Sequence, residues 1–299
     1  MKIKSGVGLA IKIGLFYCTL AGFCQSIQAQ TEMQFRLVRN TVIVVPMMAG
    51  GEGPFDFVLD TGADTTIVDP SLADKLSLSS LSHIQQTTLA GSQASSVSRI
   101  NALGSGGVQV RNLPVLVQDL AEIRKLDPQI QGIAGQDFLS HFNYLLDYPK
   151  HTIRFELADE IGDAIEGDRV PVEVVDNKMI VVSEAQSYRA VKLRLRLDSG
   201  TNSVVMMRTA SQALKLPTHQ NGLAATSGGQ VGVQVGRLDQ LKVGSQRFQD
   251  ISVALSSLDS SDRYGDGLLP TALFHVLYVN SRESFVVFNP KARKNKRND

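Results

Sequence analysis

Apolar residues in this chain fall in short runs, many with a period of two, separated by glycine- and serine-rich stretches. Val231, Val233 and Val235 alternate with polar or small residues, and Thr152-Ile153-Arg154-Phe155 alternates in the same way. A period of two predicts half-buried strands, and the intervening glycines predict tight turns. Only short segments read as helix, at 70–76 and 209–216. The pattern predicts an all-β protein with a few short helices.

The pattern is written twice. Phe57-Val58-Leu59-Asp60-Thr61-Gly62-Ala63-Asp64 lies over Leu195-Arg196-Leu197-Asp198-Ser199-Gly200-Thr201-Asn202 at a constant offset. The match continues without a gap: Thr65 meets Ser203, Ile67 meets Val205, Leu76 meets Leu214 and Leu78 meets Leu216. A second block also recurs. Gly132-Ile133-Ala134-Gly135-Gln136-Asp137-Phe138-Leu139 lies over Gly267-Leu268-Leu269-Pro270-Thr271-Ala272-Leu273-Phe274. Each copy then ends in a strand, Thr152-Ile153-Arg154-Phe155 or Phe285-Val286-Val287-Phe288. Internal repetition at this scale predicts two related lobes, each within the ordinary size of a domain. The division expected is a signal peptide at 1–29, an N-terminal lobe at 30–157, an acidic connector at 158–168, a C-terminal lobe at 169–290 and a disordered basic tail at 291–299.

The N-terminus changes the composition of the mature chain. Lys2, Lys4 and Lys12 precede an apolar run at 13–24, and small Ala29 follows, which is the layout of a secretory signal. The run is short for a bilayer span. Cleavage after Ala29 leaves 27 basic and 29 acidic side chains, a net charge of −2. Such a balance gives no field favouring nucleic acid or an anionic membrane. Both cysteines, Cys18 and Cys24, lie inside the signal. The mature chain therefore has no disulfide, thiolate metal site or cysteine nucleophile. An exported protein, periplasmic or extracellular, is expected, with no stable membrane insertion after signal cleavage.

The repeated Asp-Thr/Ser-Gly carries the candidate chemistry. Each aspartate ends an apolar strand, which holds its carboxylate rigidly at the edge of a lobe. The glycine permits a sharp turn and close approach. The Thr61 and Ser199 hydroxyls can bond across to the other copy. Two carboxylates brought together at about 3 Å cannot both ionise cheaply, so they share a proton. The ionised member can activate a water, and the protonated one can polarise a carbonyl and later protonate a leaving amine. No metal or other cofactor is required. Asp60 and Asp198 are thus the candidate catalytic pair, with Thr61, Gly62, Ala63, Ser199, Gly200 and Thr201 supporting their loops.

Leu59-Asp60-Thr61-Gly62-Ala63-Asp64, followed by Gly132-Ile133-Ala134-Gly135-Gln136-Asp137, resembles the retropepsin-like aspartic proteases, specifically the exported bacterial group. The resemblance implies two fused acid-protease-type β-barrel lobes with the active site at their interface, and an aspartic endopeptidase that acts as a monomer on peptides or proteins. It implies that Thr61 and Ser199 grip each other's lobe. Asp64 would anchor its loop or bind substrate backbone, with Asn202 as its counterpart. Flap hairpins would map to 89–107 and 224–232. Two departures separate the halves. Asn202 stands where the first copy has Asp64, and Pro270 stands where it has Gly135. They motivate the alternative of a catalytically weak or inactive peptide-binding protein of the cell envelope. Other chemistries fit less well. The five histidines are scattered, no Gly-x-Ser-x-Gly elbow occurs, and the glycine-rich stretches do not precede Lys-Ser/Thr. Paired carboxylates also serve glycosidases, but these do not call for duplicated Asp-Thr/Ser-Gly loops.

Overall fold

The computed structural model describes residues 32–88, 91–156, 160–226, 229–261 and 265–293. The expected signal peptide and the end of the basic tail, 294–299, lie outside them.

The first lobe is a closed six-stranded barrel. Its strands run Val42–Ala49, Glu52–Leu59, Ile130–Ala134, Ile67–Val68, Val108–Val117 and Gly91–Ser105 in spatial order. It closes where Met48 and Ala49 pair with Gly104 and Leu103. The second lobe repeats this order with Lys178–Gln186, Ala190–Asp198, Gly267–Pro270, Val204–Met206, Gln246–Leu255 and Gly229–Val243. It closes through Ser183↔Val243 to Gln186↔Gln240. In both barrels the strand that ends in the candidate aspartate runs parallel to its neighbour, with Leu59 opposite Ala134 and Leu197 opposite Leu269. The twofold repetition read in the sequence is thus a repetition of register.

A third layer joins the lobes. Strands Glu32–Gln34, Thr152–Glu156 and Asn143–Asp147 from the first half continue into Val276–Asn280, Phe285–Phe288 and Arg169–Val175 from the second. The seam is antiparallel, from Tyr144↔Val279 to Asp147↔Val276. Apolar side chains on it are buried, among them Tyr144, Leu146, Phe155, Leu277 and Val279. They belong to one continuous core that runs through both barrels. Sharing a sheet and a core fixes the lobes against each other, which is what a site between them requires.

The helices are short, as the pattern predicts. Pro70–Lys75 begins at Asp69, whose carboxylate accepts from Ser71 N at 3.1 Å, with proline at the first helical position. Its counterpart is Arg208–Leu214, ended by left-handed Lys215. Hairpins Ser82–Thr88/Gly91–Ser105 and Thr218–Thr226/Gly229–Val243 occupy the expected flap regions. The first starts well before residue 89, because its outer strand is polar and gives little periodic signal.

The expected connector carries a helix, Glu160–Ala164, which buries Ile161 against Tyr278, Phe285 and Val287. One expectation is corrected: the tail does not begin disordered. Lys291–Ala292 pairs with Ile165–Glu166, and Arg293 N donates to Ala164 O at 2.8 Å. A single buried isoleucine and a pair of backbone bonds suffice here, and neither leaves a repeating pattern in sequence.

Candidate active site

Each aspartate sits at the end of an apolar strand, and the residue after it ties the two ends together. Thr61 and Ser199 are both fully buried. Thr61 Oγ1 accepts from Ser199 N at 2.9 Å and donates to Leu197 O at 3.1 Å. Reciprocally, Ser199 Oγ accepts from Thr61 N at 2.9 Å and donates to Leu59 O at 2.7 Å. Two hydroxyls therefore make four buried bonds across the lobe boundary, each to backbone next to the other aspartate.

The glycines complete the approach. Gly62 N donates to Asp60 Oδ1 at 2.7 Å, and Gly200 N to Asp198 Oδ1 at 2.8 Å. Each glycine also makes room for the opposite carboxylate. A Cβ on Gly62 would lie 2.4 Å from Asp198 Cγ, and one on Gly200 would lie 2.8 Å from Asp60 Oδ2. The carboxylates of Asp60 and Asp198 thus meet over two facing loops that only glycine fits.

This closeness governs ionisation. Burial, then the charge of Asp198, pushes the Asp60 carboxyl up from 3.8 to about 7, while Arg196 opposes the rise. Burial also raises Asp198, against the pull of Arg196, the Gly200 N–H and the hydrogen bond from Asp60. Both carboxyls are therefore held above the ordinary carboxylate range and titrate as one coupled pair, which favours a single shared proton.

An aspartyl protease family model matches residues 45–138 and 187–271. The chain belongs to the aspartyl protease family. The two matched regions lie on the two barrels, the second without strand Lys178–Gln186, and each contains one aspartate of the pair. No match to a curated protein was found.

The remaining loop residues have distinct placements in this member of the family. Ala63 N donates to Asp60 O at 3.2 Å, and Gln136 N to Ala63 O at 2.8 Å. Gln136 Nε2 donates to Thr61 O at 3.1 Å, so the second repeated block holds the first. Thr201 Oγ1 donates to Ser203 O at 3.2 Å. Asp64 faces two cations of the other lobe: Lys178 Nζ lies 2.7 Å from its Oδ2, and Arg196 Nη2 lies 3.2 Å from its Oδ1. Asn202 is exposed and accepts from Ser203 Oγ at 3.2 Å.

The two departures between the halves have partners. In the first lobe Gly135 N donates to Thr66 Oγ1 at 3.2 Å, and Thr66 donates through N and Oγ1 to Asp137 at 2.9 and 2.6 Å. The repeat places Val204, Pro270 and Ala272 at these three positions. Proline has no N–H, and valine offers no hydroxyl to accept one. A polar anchor has been exchanged as a set for apolar packing, with Val204 buried in the core. Pro270 still pairs opposite Asp198.

Arg196 and Lys178 were not singled out from sequence. Arg196 was legible in principle, since it stands two residues before Asp198 on an alternating strand and so shares its face. Lys178 carries no local signal, because its partner is 114 residues away in the other lobe. Tyr148, whose hydroxyl lies 2.6 Å from Thr271 Oγ1 behind Asp198, was missed for the same reason. A cavity of about 610 Å³ opens on the second lobe between helix Arg208–Leu214 and the second hairpin. Neither aspartate lines it.

Proposed function

We propose that this protein is an active aspartic endopeptidase that hydrolyses peptide bonds with a water activated between Asp60 and Asp198. The observation that carries this reading is the reciprocal Thr61/Ser199 grip, which converges the two carboxylates onto glycine seats. In this mechanism Asp198 is the carboxylate and takes a proton from the water as its oxygen attacks the scissile carbonyl carbon. Asp60 donates its proton to the carbonyl oxygen. As the tetrahedral intermediate collapses, one hydroxyl returns its proton to Asp60, the C–N bond breaks, and the proton gained by Asp198 passes to the leaving amine, which restores the pair. The hairpins Ser82–Thr88/Gly91–Ser105 and Thr218–Thr226/Gly229–Val243 supply candidate strands to flank an extended substrate, and Asp64 and Asn202 its backbone contacts. The protein acts as a monomer, outside the cytoplasm, since one chain carries both aspartates and the N-terminus has a signal layout.

The competing reading is an inactive peptide binder on the same scaffold. The exchange of Gly135, Thr66 and Asp137 for Pro270, Val204 and Ala272 argues against it, because the change is compensated rather than decayed. The decisive measurement is cleavage of a diverse peptide library, read by mass spectrometry over pH 3 to 8. Wild type should cleave, while Asp60→Asn and Asp198→Asn should each lose activity and keep the far-UV spectrum of the parent. Full activity in either variant overturns the shared-water reading. Binding of a statine-type inhibitor without turnover of any peptide would favour the binder.

A further inference from the structure

Arg196 lies on the face of strand Ala190–Asp198 that also carries Asp198. Its side chain is 9% exposed and that of Lys178 is 1% exposed, so two cations are buried together on Asp64, and the charge of Arg196 reaches both Asp60 and Asp198. Between them they have one carboxylate, that of Asp64 in the other lobe. Lys178 Nζ also donates to Asp176 O at 3.1 Å, whereas Arg196 Nε has no hydrogen-bond partner among the described residues.

The opposite side of the pseudo-twofold axis has none of this charge. Val58 pairs with Val44 as Arg196 pairs with Ile180, and Val42 precedes Val44 as Lys178 precedes Ile180. The related trio is therefore Asn202, Val42 and Val58. Three ionisable residues on one side replace three neutral ones on the other, and they carry a surplus of one positive charge. A buried surplus charge is costly unless an anion balances it. The Asp60/Asp198 pair, on which the charge of Arg196 acts, supplies one negative charge when it holds a single shared proton, and the site then sums to zero.

We propose that Arg196 is a positioning residue that acts through the charge of the aspartate pair: the surplus positive charge of the Asp64–Lys178–Arg196 cluster holds Asp60 and Asp198 at one negative charge and sets the pH range of the enzyme. The groups around the pair can be named. Strand Ala190–Asp198 contributes Arg196, which acts on both aspartates and is itself paired with Asp64 of the first loop; strand Lys178–Gln186 contributes Lys178, which reaches Asp64; strand Gly267–Pro270 contributes no ionisable group; and Tyr148 approaches from the shared sheet, its hydroxyl bonded to Thr271. The proposal rests on the peptidase reading, so the test has a readout that needs no turnover.

The test compares wild type, Arg196→Lys, Arg196→Val and the triple variant Asp64→Asn/Lys178→Val/Arg196→Val, which copies the neutral trio and leaves no buried charge unpaired. The readouts are the pH profile of kcat/KM and the carboxyl ¹³C titration of Asp60 and Asp198. Arg196→Val and the triple variant should move both limbs of the profile and both carboxyl midpoints to higher pH by about one unit or more, as loss of a near cation does. Arg196→Lys, which keeps the charge, should stay close to wild type. Unmoved midpoints in the folded triple variant, or a shift in Arg196→Lys as large as in Arg196→Val, would overturn the proposal. Absence of peptide cleavage by wild type would instead sink the peptidase reading, and the ¹³C midpoints would still decide the role of Arg196.

Discussion

Replacing Thr61 by valine removes one hydroxyl and almost no volume, so it isolates the grip between the lobes. The hydroxyl bonds Ser199 N and Leu197 O at 2.9 and 3.1 Å. Both backbone groups are buried, and neither gains another partner when the hydroxyl goes. A buried donor or acceptor left unsatisfied costs about 1–3 kcal/mol. Two of them give roughly 2–6 kcal/mol, and the added methyl offsets about 1 kcal/mol of this through burial. Thr61→Val should therefore lose about 1–5 kcal/mol in urea denaturation. Ser199→Ala should lose a similar amount, since its hydroxyl is used in the same way. The double variant should lose less than the sum, because the first deletion already loosens the loops that the second one holds. Activity should fall further than stability suggests, on the order of 10²-fold in kcat, since a shift of about 1 Å between the carboxylates is enough for that. A loss below about 0.5 kcal/mol for both single variants would mean that the four bonds do not hold the lobes together, and the account of how the aspartates meet would fail.

Two further outcomes follow from ionisation and from the asymmetry of the halves. Because burial raises the folded Asp60 carboxyl from 3.8 to about 7, its contribution to stability is full below pH 4 and is lost as pH rises through 7. Asp60→Asn removes that loss, so at pH 8 the variant should unfold later than wild type by up to about 4 kcal/mol, at 1.36 kcal/mol per unit, and the advantage should vanish near pH 4; equal pH slopes in the two proteins would refute it. Pro270→Gly frees an N–H that has no hydroxyl to meet in the second lobe and should destabilise by about 1–3 kcal/mol, while adding Val204→Thr should recover part of the loss; thermal unfolding that shows no coupling between the two sites would refute the exchange of anchors as a set.

Much of the architecture was legible because it is repeated. An apolar strand ending in Asp-Thr/Ser-Gly is ambiguous once, but its recurrence in the same context fixed the barrel strands Glu52–Leu59 and Ala190–Asp198 and the aspartates at their ends. The features that escaped are those with long sequence separation or a single contact. The cross-lobe grip of Asp64 by Lys178 and Arg196 spans more than a hundred residues. The connector helix is held by one isoleucine, Ile161, in a four-residue cluster. The start of the tail is held by backbone pairing, which any residue can make. Periodicity reports faces that are buried along their length, and none of these is such a face.

The asymmetry of the halves looked like decay in the sequence, since Asn202 and Pro270 each replace a residue that the first copy uses. In three dimensions each belongs to a trio. Around Asp60 the loop is anchored by polar bonds among Thr66, Gly135 and Asp137, whereas around Asp198 the same positions are Val204, Pro270 and Ala272, so the backbone donor of Gly135 and the hydroxyl that accepts from it are both replaced. Asn202 in turn is related by the repeat to Asp64, and the positions related to Lys178 and Arg196 are Val42 and Val58. Random loss of function would remove one member of a set and leave its partners unsatisfied in a buried site, at a cost of 1–3 kcal/mol for each. Matched replacement in both trios instead indicates that the fold was held to its stability while the two aspartates were given different surroundings. A symmetric pair has no reason to place its proton on one member rather than the other. In the proposed mechanism the Arg196 side and the Val58 side differ by a full charge, and that difference is what separates the acid role of Asp60 from the base role of Asp198.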